Sequence, residues 1–208
     1  LVSTIHKKVS IAGNRLVELG CGSGDRIVEF ARLKPRLLYG IDAADENIRR
    51  ARMRAIHGAH FEVGPLTNLP VGGGSFDVAV FPFTLHQLPV ARMAEAISEA
   101  VRVCAWNATI VFVETGFRGT YVEAQSKLGI CGGVKTFAKR AAQREMASHK
   151  SIAFDCEITD QVSIQVETVP EFIAQLEAKA DVETVVEFLR KARFELTAER
   201  RFCFYKVK

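Results

Sequence analysis

A short apolar run that stops on three closely spaced glycines limits this chain more than any other feature. Residues 15–21 read RLVELGC, a strand, and Gly20, Gly22 and Gly24 punctuate its end and the turn beyond it. Glycines so spaced let the backbone turn sharply and let a ligand approach the main chain with no Cβ in the way. After the turn, Ile27, Val28, Phe30 and Ala31 recur at helical spacing over residues 25–33. A second strand, 36–41, runs into Asp42, 22 residues after Gly20. Strand, glycine turn, helix, strand and acid in this order open a doubly wound α/β sheet, where the acid bonds the ribose hydroxyls of an adenine nucleotide.

The alternation continues. Residues 45–57 form a helix with Asp45 placed to cap it, 60–63 a third strand, and 65–74 a Gly/Pro-rich loop. Residues 76–81 are a near-continuous apolar run, as in strands buried on both faces. Next come a helix over 89–103, a turn at Trp106-Asn107 and a fifth strand over 109–113. The expected fold is therefore α/β, a doubly wound, mostly parallel sheet with right-handed crossovers.

Past Glu114 the pattern changes. Glycines at 116, 119, 129, 132 and 133 break the chain before a helix over 134–148 and a strand over 158–166. Thr168 and Pro170 open a helix, Asp181 caps another reaching 192, and the aromatic and β-branched stretch 194–207 closes the sheet. The expected organisation is a single domain, 1–208, with 115–167 inserted as a cap or lid and its glycines as hinges.

Composition narrows the class. Hydrophobic residues make up 48% of the 208 residues, enough for one sizeable core. No apolar run approaches the ~18–20 residues of a membrane helix, and residues 1–16, with Lys7, Lys8 and Arg15, do not read as a secretory signal. The five cysteines are odd in number and lack a C-x-x-C pair, which fits reduced thiols in a cytoplasmic protein and no metal site. A net charge of +4 requires no nucleic-acid partner. The basic stretch 134–150, with Lys135, Lys139, Arg140, Arg144 and Lys150, reads first as a solvated helix face.

The acids choose the nucleotide. A dinucleotide fingerprint needs glycine at 25, where this chain has Asp25. A carboxylate at a helix N-terminus occupies the positive end of the dipole and repels a pyrophosphate. S-adenosyl-L-methionine has no phosphate and carries a sulfonium and an ammonium, so Glu18 and Asp25 suit it better than a dinucleotide.

On these residues the chain resembles the class I S-adenosylmethionine-dependent methyltransferases of the small-molecule type. VELGCGSGD matches their first motif, GIDAADENIRRAR (40–52) their second strand and following helix, and SFDVAV with FTLHQL their fourth-strand segment. Residues 94–113 match the next helix and strand, so the resemblance covers 15–114. It implies the seven-stranded Rossmann-like fold of that family. It also implies a cofactor site in which Glu18, Gly20 and Gly22 border the methionine end, Asp42 holds the ribose, Ala43 flanks the adenine and Phe81 lines the site beyond the fourth strand, with Cys21, Gly24 and Leu66 counted among its cofactor-binding residues. The chain departs from the family at Pro65, which replaces an acid that accepts the adenine amino group. The family's Pro-Gly-Gly turn before the fifth strand is also absent, Trp106-Asn107-Ala108 standing there.

Methyl transfer from a sulfonium is an in-line displacement with a good leaving group, so alignment and desolvation carry much of it. An oxygen or nitrogen acceptor also needs to lose a proton, and His86 is the candidate base, with Thr84 in the same loop and Glu114 at the fifth strand's end. The leading function is methyl transfer to a small-molecule acceptor. One alternative is an RNA methyltransferase using 134–150; another is a non-catalytic S-adenosylmethionine-binding or interaction protein. The sequence sets neither the acceptor atom nor the oligomeric state.

Overall fold

Leu16, Val17, Glu18 and Leu19 are all fully buried, because their strand lies mid-sheet with both faces covered. The computed structural model describes residues 1–130 and 135–208. Its strands are β1 (Arg15–Leu19), β2 (Leu37–Asp42), β3 (Ala59–Val63), β4 (Phe76–Pro82), β5 (Cys104–Thr115), β6 (Ile152–Gln165) and β7 (Glu195–Val207). They form one seven-stranded sheet in the order β3-β2-β1-β4-β5-β7-β6. The five strands from β3 to β5 are parallel; β7 runs antiparallel to β5 and to β6. The sheet order reverses between β1 and β4, where doubly wound folds open a crevice at the strands' carboxyl ends.

Helices cover both faces. α1 (Val2–Lys8), α2 (Asp25–Ala31) and α3 (Asp45–Met53) lie on one, with Ile5, Ile27, Phe30 and Ile48 packed against Leu16, Val78 and Val80. α4 (Val90–Val103) and α6 (Thr136–Ser148) lie on the other, with Met93, Ile97 and Met146 against Val17, Ala79 and Phe112. A third cluster stands apart. α5 (Thr120–Leu128), α7 (Val169–Leu176) and α8 (Val182–Lys191) join Leu128, Phe172, Val185 and Leu189 over Leu196 of β7. Among the described residues no helix is long and apolar enough to cross a membrane.

Several local expectations change. The Trp106-Asn107 turn is absorbed into β5, which starts at Cys104; Asn107 sits at φ 61 and the register against β4 shifts between Phe76 and Val78. Asp45 does not cap α3 but pairs with Arg49, since Asp42 already accepts from the Ala44 amide at that helix start. Asp181 caps α8 through the Thr184 amide (2.8 Å), and Thr168 caps α7 through that of Glu171. Within 115–167, residues 152–165 belong to the sheet as β6, and α7 and α8 add cover beyond 167. Cys131 and the glycines at 132 and 133 lie outside the described residues.

Candidate functional site

The glycine turn takes the conformation its sequence demands. Gly20, Gly22 and Gly24 have φ of 82, 55 and 80°, in the left-handed region that side chains disfavour. A Cβ on Gly20 would lie 2.4 Å from Thr84 Cγ2, so only glycine lets the loop after β4 close over the turn. A Cβ on Gly22 would meet nothing within 4 Å; this glycine borders open space. Asp42, ending β2, ties the turn to the next strand: its Oδ2 accepts from the Gly22 amide (2.9 Å), and its Oδ1 from the Ala44 amide and Asn47 Nδ2.

These groups line one cavity of about 600 Å³ at the carboxyl edge of the sheet. Gly20, Gly22, Arg26, Asp42 and Ala43 form one side, and Pro65, Leu66 and Thr67 of the loop after β3 the other. Phe83, Thr84 and Gln87 complete it. Beneath the turn Glu18 is fully buried. Its Oε1 accepts from Arg26 Nε at 2.6 Å, while its Oε2 has no hydrogen-bond partner among the described residues. Burial pushes the Glu18 carboxyl up to about 7, although the Arg26 guanidinium pulls the other way.

Other expected contacts sit elsewhere. Cys21 is buried in the core, its Sγ against Gly40, where desolvation pushes the thiol up to about 12. Gly24 is the N-cap of α2 and abuts Ala51 and Phe61, serving helix–sheet packing. Phe81 is also core, stacked on Phe112 with centroids 4.9 Å apart; strand alternation turns it from the cavity, which Phe83 reaches at a strained φ of 57°. The Asp25 carboxylate accepts from the Ser23 hydroxyl and pairs with Arg54.

His86 and Thr84 are only two residues apart but serve different cavities. Thr84 lines the first and donates its hydroxyl to the Pro82 carbonyl (3.0 Å). His86, on the short 3-10 turn Leu85–Gln87, lines a second cavity of about 470 Å³. Its Nδ1 is hydrogen-bonded to Glu114 Oε2, both side chains being buried. That bond leaves Nε2 as the ring nitrogen open to a ligand. Phe83 and Gln87 line both cavities and so form the wall between them.

Sequence reasoning misses the rest of the second cavity. Tyr121 and Gln125 of α5, Lys139 of α6, Val162 and Ile164 of β6 and Leu176 of α7 enclose it. The basic stretch reads as a solvated face, yet its Lys139 is 3% exposed. The spacing of Lys139 to Ala142 and Met146, three and seven residues on, places it on the helix's buried stripe, the one signal that marks it.

Residues 16–107 match the sequence family described as a methyltransferase domain. The chain is 31% identical over 83 residues to the 27-O-demethylrifamycin SV methyltransferase of Amycolatopsis mediterranei, covering 38% of this chain and 30% of the relative. It is 29% identical over 116 residues to a ubiquinone/menaquinone biosynthesis C-methyltransferase of Geobacter, covering 52% and 48%. The match thus spans less than half the length of either relative. Among solved structures, the YcgJ protein of Bacillus subtilis superposes over 100% of this chain and 97% of its own, at 16% identity and a TM-score of 0.72; that likeness concerns the fold.

Proposed function

We propose, from the match of residues 16–107 to a methyltransferase domain and from the two methyltransferase relatives, that the chain is a class I S-adenosylmethionine-dependent methyltransferase and methylates a small molecule held in the second cavity. The supporting observation is the pair of adjoining cavities that share the Phe83–Gln87 wall. S-adenosyl-L-methionine is the family's cofactor and, when bound, supplies an electrophilic methyl group.

The residues of the first cavity fit that cofactor. Asp42 offers carboxylate oxygens to ribose hydroxyls, Gly22 leaves the main chain bare, and Ala43 and Leu66 give an apolar bed for the adenine. Below them, the unpartnered Glu18 Oε2 suits a ligand ammonium, which would favour the ionised carboxylate. Cys21, Gly24 and Phe81 support this site from the core, and Thr84 holds the loop against Gly20.

Across the wall, His86 takes the acceptor's proton on Nε2, while Glu114 fixes the ring and stabilises the imidazolium that forms. The helices over the second cavity act as the cover that excludes water. A small acceptor is favoured over RNA because the basic stretch is not one continuous face: Lys139, one of its five cations, is buried at the cavity.

Titration calorimetry with S-adenosylmethionine and its demethylated product tests the first half of this reading. Binding of both, together with methyl transfer to members of a small-molecule panel, supports it. Binding without turnover on any acceptor supports the non-catalytic alternative. Methylation of RNA that falls steeply with salt overturns the small-molecule reading.

A further inference from the structure

The second cavity contains polar groups that neither methyl transfer nor proton removal by His86 uses. Lys139 is 3% exposed, and its Nζ is buried with no hydrogen-bond partner among the described residues. Gln125, across the same cavity on α5, is 8% exposed, and its Oε1 is likewise unpartnered. A buried ammonium without hydrogen bonds is costly, and a protein keeps one where a ligand completes it.

Nearby charges among the described residues do not supply the missing partner. Arg200 lines the cavity, but its guanidinium is engaged by Asp160 at 2.8 and 2.7 Å. Lys135 is exposed at the rim and adds positive charge. Glu114 acts on Lys139 through its field, but gives one oxygen to His86 and none to the Lys139 ammonium. Phe83, Val162, Ile164, Leu176 and Ala198 give the cavity its apolar walls, beside the uncharged polar side chains of Gln87, Thr115 and Tyr121 and the ring of His86.

Resting on the methyltransferase reading for its placement but not for its test, we propose that the second cavity selects acceptors with an apolar body and one anionic oxygen. A carboxylate, enolate or phenolate oxygen accepts from Lys139 Nζ, and a neighbouring hydroxyl or N–H donates to Gln125 Oε1. A cavity of about 470 Å³ holds a body of one to a few fused rings. Burial lowers the Lys139 pKa, and an anion entering beside it would raise it again by favouring the ammonium.

The test is a matched series in calorimetry: benzoate, naphthoate and anthracene carboxylate against their neutral amides, with and without the demethylated cofactor. At least one carboxylate should bind the wild type about tenfold or more tighter than its amide. Lys139→Met, close in length and apolar, should erase that preference and raise the melting temperature, because it removes an unpaired buried charge. Two results overturn the proposal: no carboxylate preference at any body size, or a preference that survives Lys139→Met. S-adenosylmethionine binding on the same samples is scored separately, so its failure would sink the methyltransferase reading while the anion preference stood or fell by itself.

Discussion

The side-chain amide of Gln87 donates to the carbonyl of Phe83 at 2.9 Å, and the two residues border both cavities. The bond closes the loop after β4 at the wall that the two cavities share. It also holds Phe83 at φ 57°, a conformation a bulky residue does not adopt unaided. Gln87→Ala should remove a bond worth about 1 kcal/mol. Cofactor affinity and acceptor KM should then both worsen, by about fivefold each. Calorimetry beside steady-state kinetics checks this; a change in only one would restrict Gln87 to a single cavity.

Asp42 does two jobs before any ligand arrives. It accepts from the Gly22 amide of the turn and from the Ala44 amide ahead of α3. Asp42→Ala should therefore loosen the turn and remove the proposed ribose acceptor, and cofactor affinity should drop by about 1–3 kcal/mol. Asp42→Asn keeps one acceptor oxygen and should lose less. Equal losses in the two variants would assign the effect to charge, and no loss in either would remove Asp42 from the cofactor site.

Glu18 makes the protein's stability depend on pH in a definite direction. Its carboxyl is raised from 4.5 to about 7, first by burial and against the pull of Arg26. A group raised in the folded state holds its proton more firmly native than unfolded, so stability is highest below the unfolded value. It falls as pH climbs to about 7, by up to a few kcal/mol at roughly 1.4 kcal/mol per unit. Glu18→Gln should flatten this slope and stabilise the protein at about pH 8, as thermal melts would show. A cofactor ammonium would favour the ionised form, so wild-type affinity should rise from about pH 5.5 to 7, and the variant's should not. An unchanged slope in the variant would assign the pH dependence to other groups.

The first cavity is legible in the sequence and the second is not, for a physical reason. Gly20, Gly22 and Asp42 lie within one local β-α-β unit, where backbone demands fix residue type and spacing. The second cavity gathers Phe83, Gln125, Lys139, Ile164 and Leu176 from segments far apart in the chain. No short-range pattern records such a meeting. Even within the legible half, the motif puts Phe81 on the wrong side, because strand alternation turns its ring onto Phe112 and a left-handed residue, Phe83, takes its place. Cys21 and Gly24 shape the turn from behind, a role a motif cannot separate from ligand contact.

Pro65 lines the first cavity where the family carries an acid, and its carbonyl accepts from the Asn68 amide in a tight turn. Aspartate is favoured at the first position of such a turn, so Pro65→Asp is compatible with the loop. It should tighten cofactor binding by about 1.5–3 kcal/mol, the worth of a charge-assisted bond to an adenine amino group. Weaker binding would mean that Thr67, held by Arg92 at 2.7 Å, already serves that edge.

His86 is the group on which the proposed proton transfer stands. Glu114 holds its Nδ1, so the tautomer is set and Nε2 is left to face the acceptor. Deleting the ring outright would strand a buried carboxylate whose Oε1 already lacks a partner among the described residues, and would cost stability as well as catalysis. His86→Gln avoids this, since its amide can still donate to Glu114 while offering no base. Turnover should then fall by about 10²-fold or more, with cofactor affinity close to wild type. The acid limb of the wild-type pH–rate profile, set by the base losing its proton, should vanish with it. Glu114→Gln should give a smaller loss in kcat, because the amide still holds the ring but no longer stabilises the imidazolium that forms. If His86→Gln turns over at the wild-type rate with an unchanged profile, the acceptor reacts through alignment alone, and the His86–Glu114 pair is a structural brace between the 3-10 turn and β5.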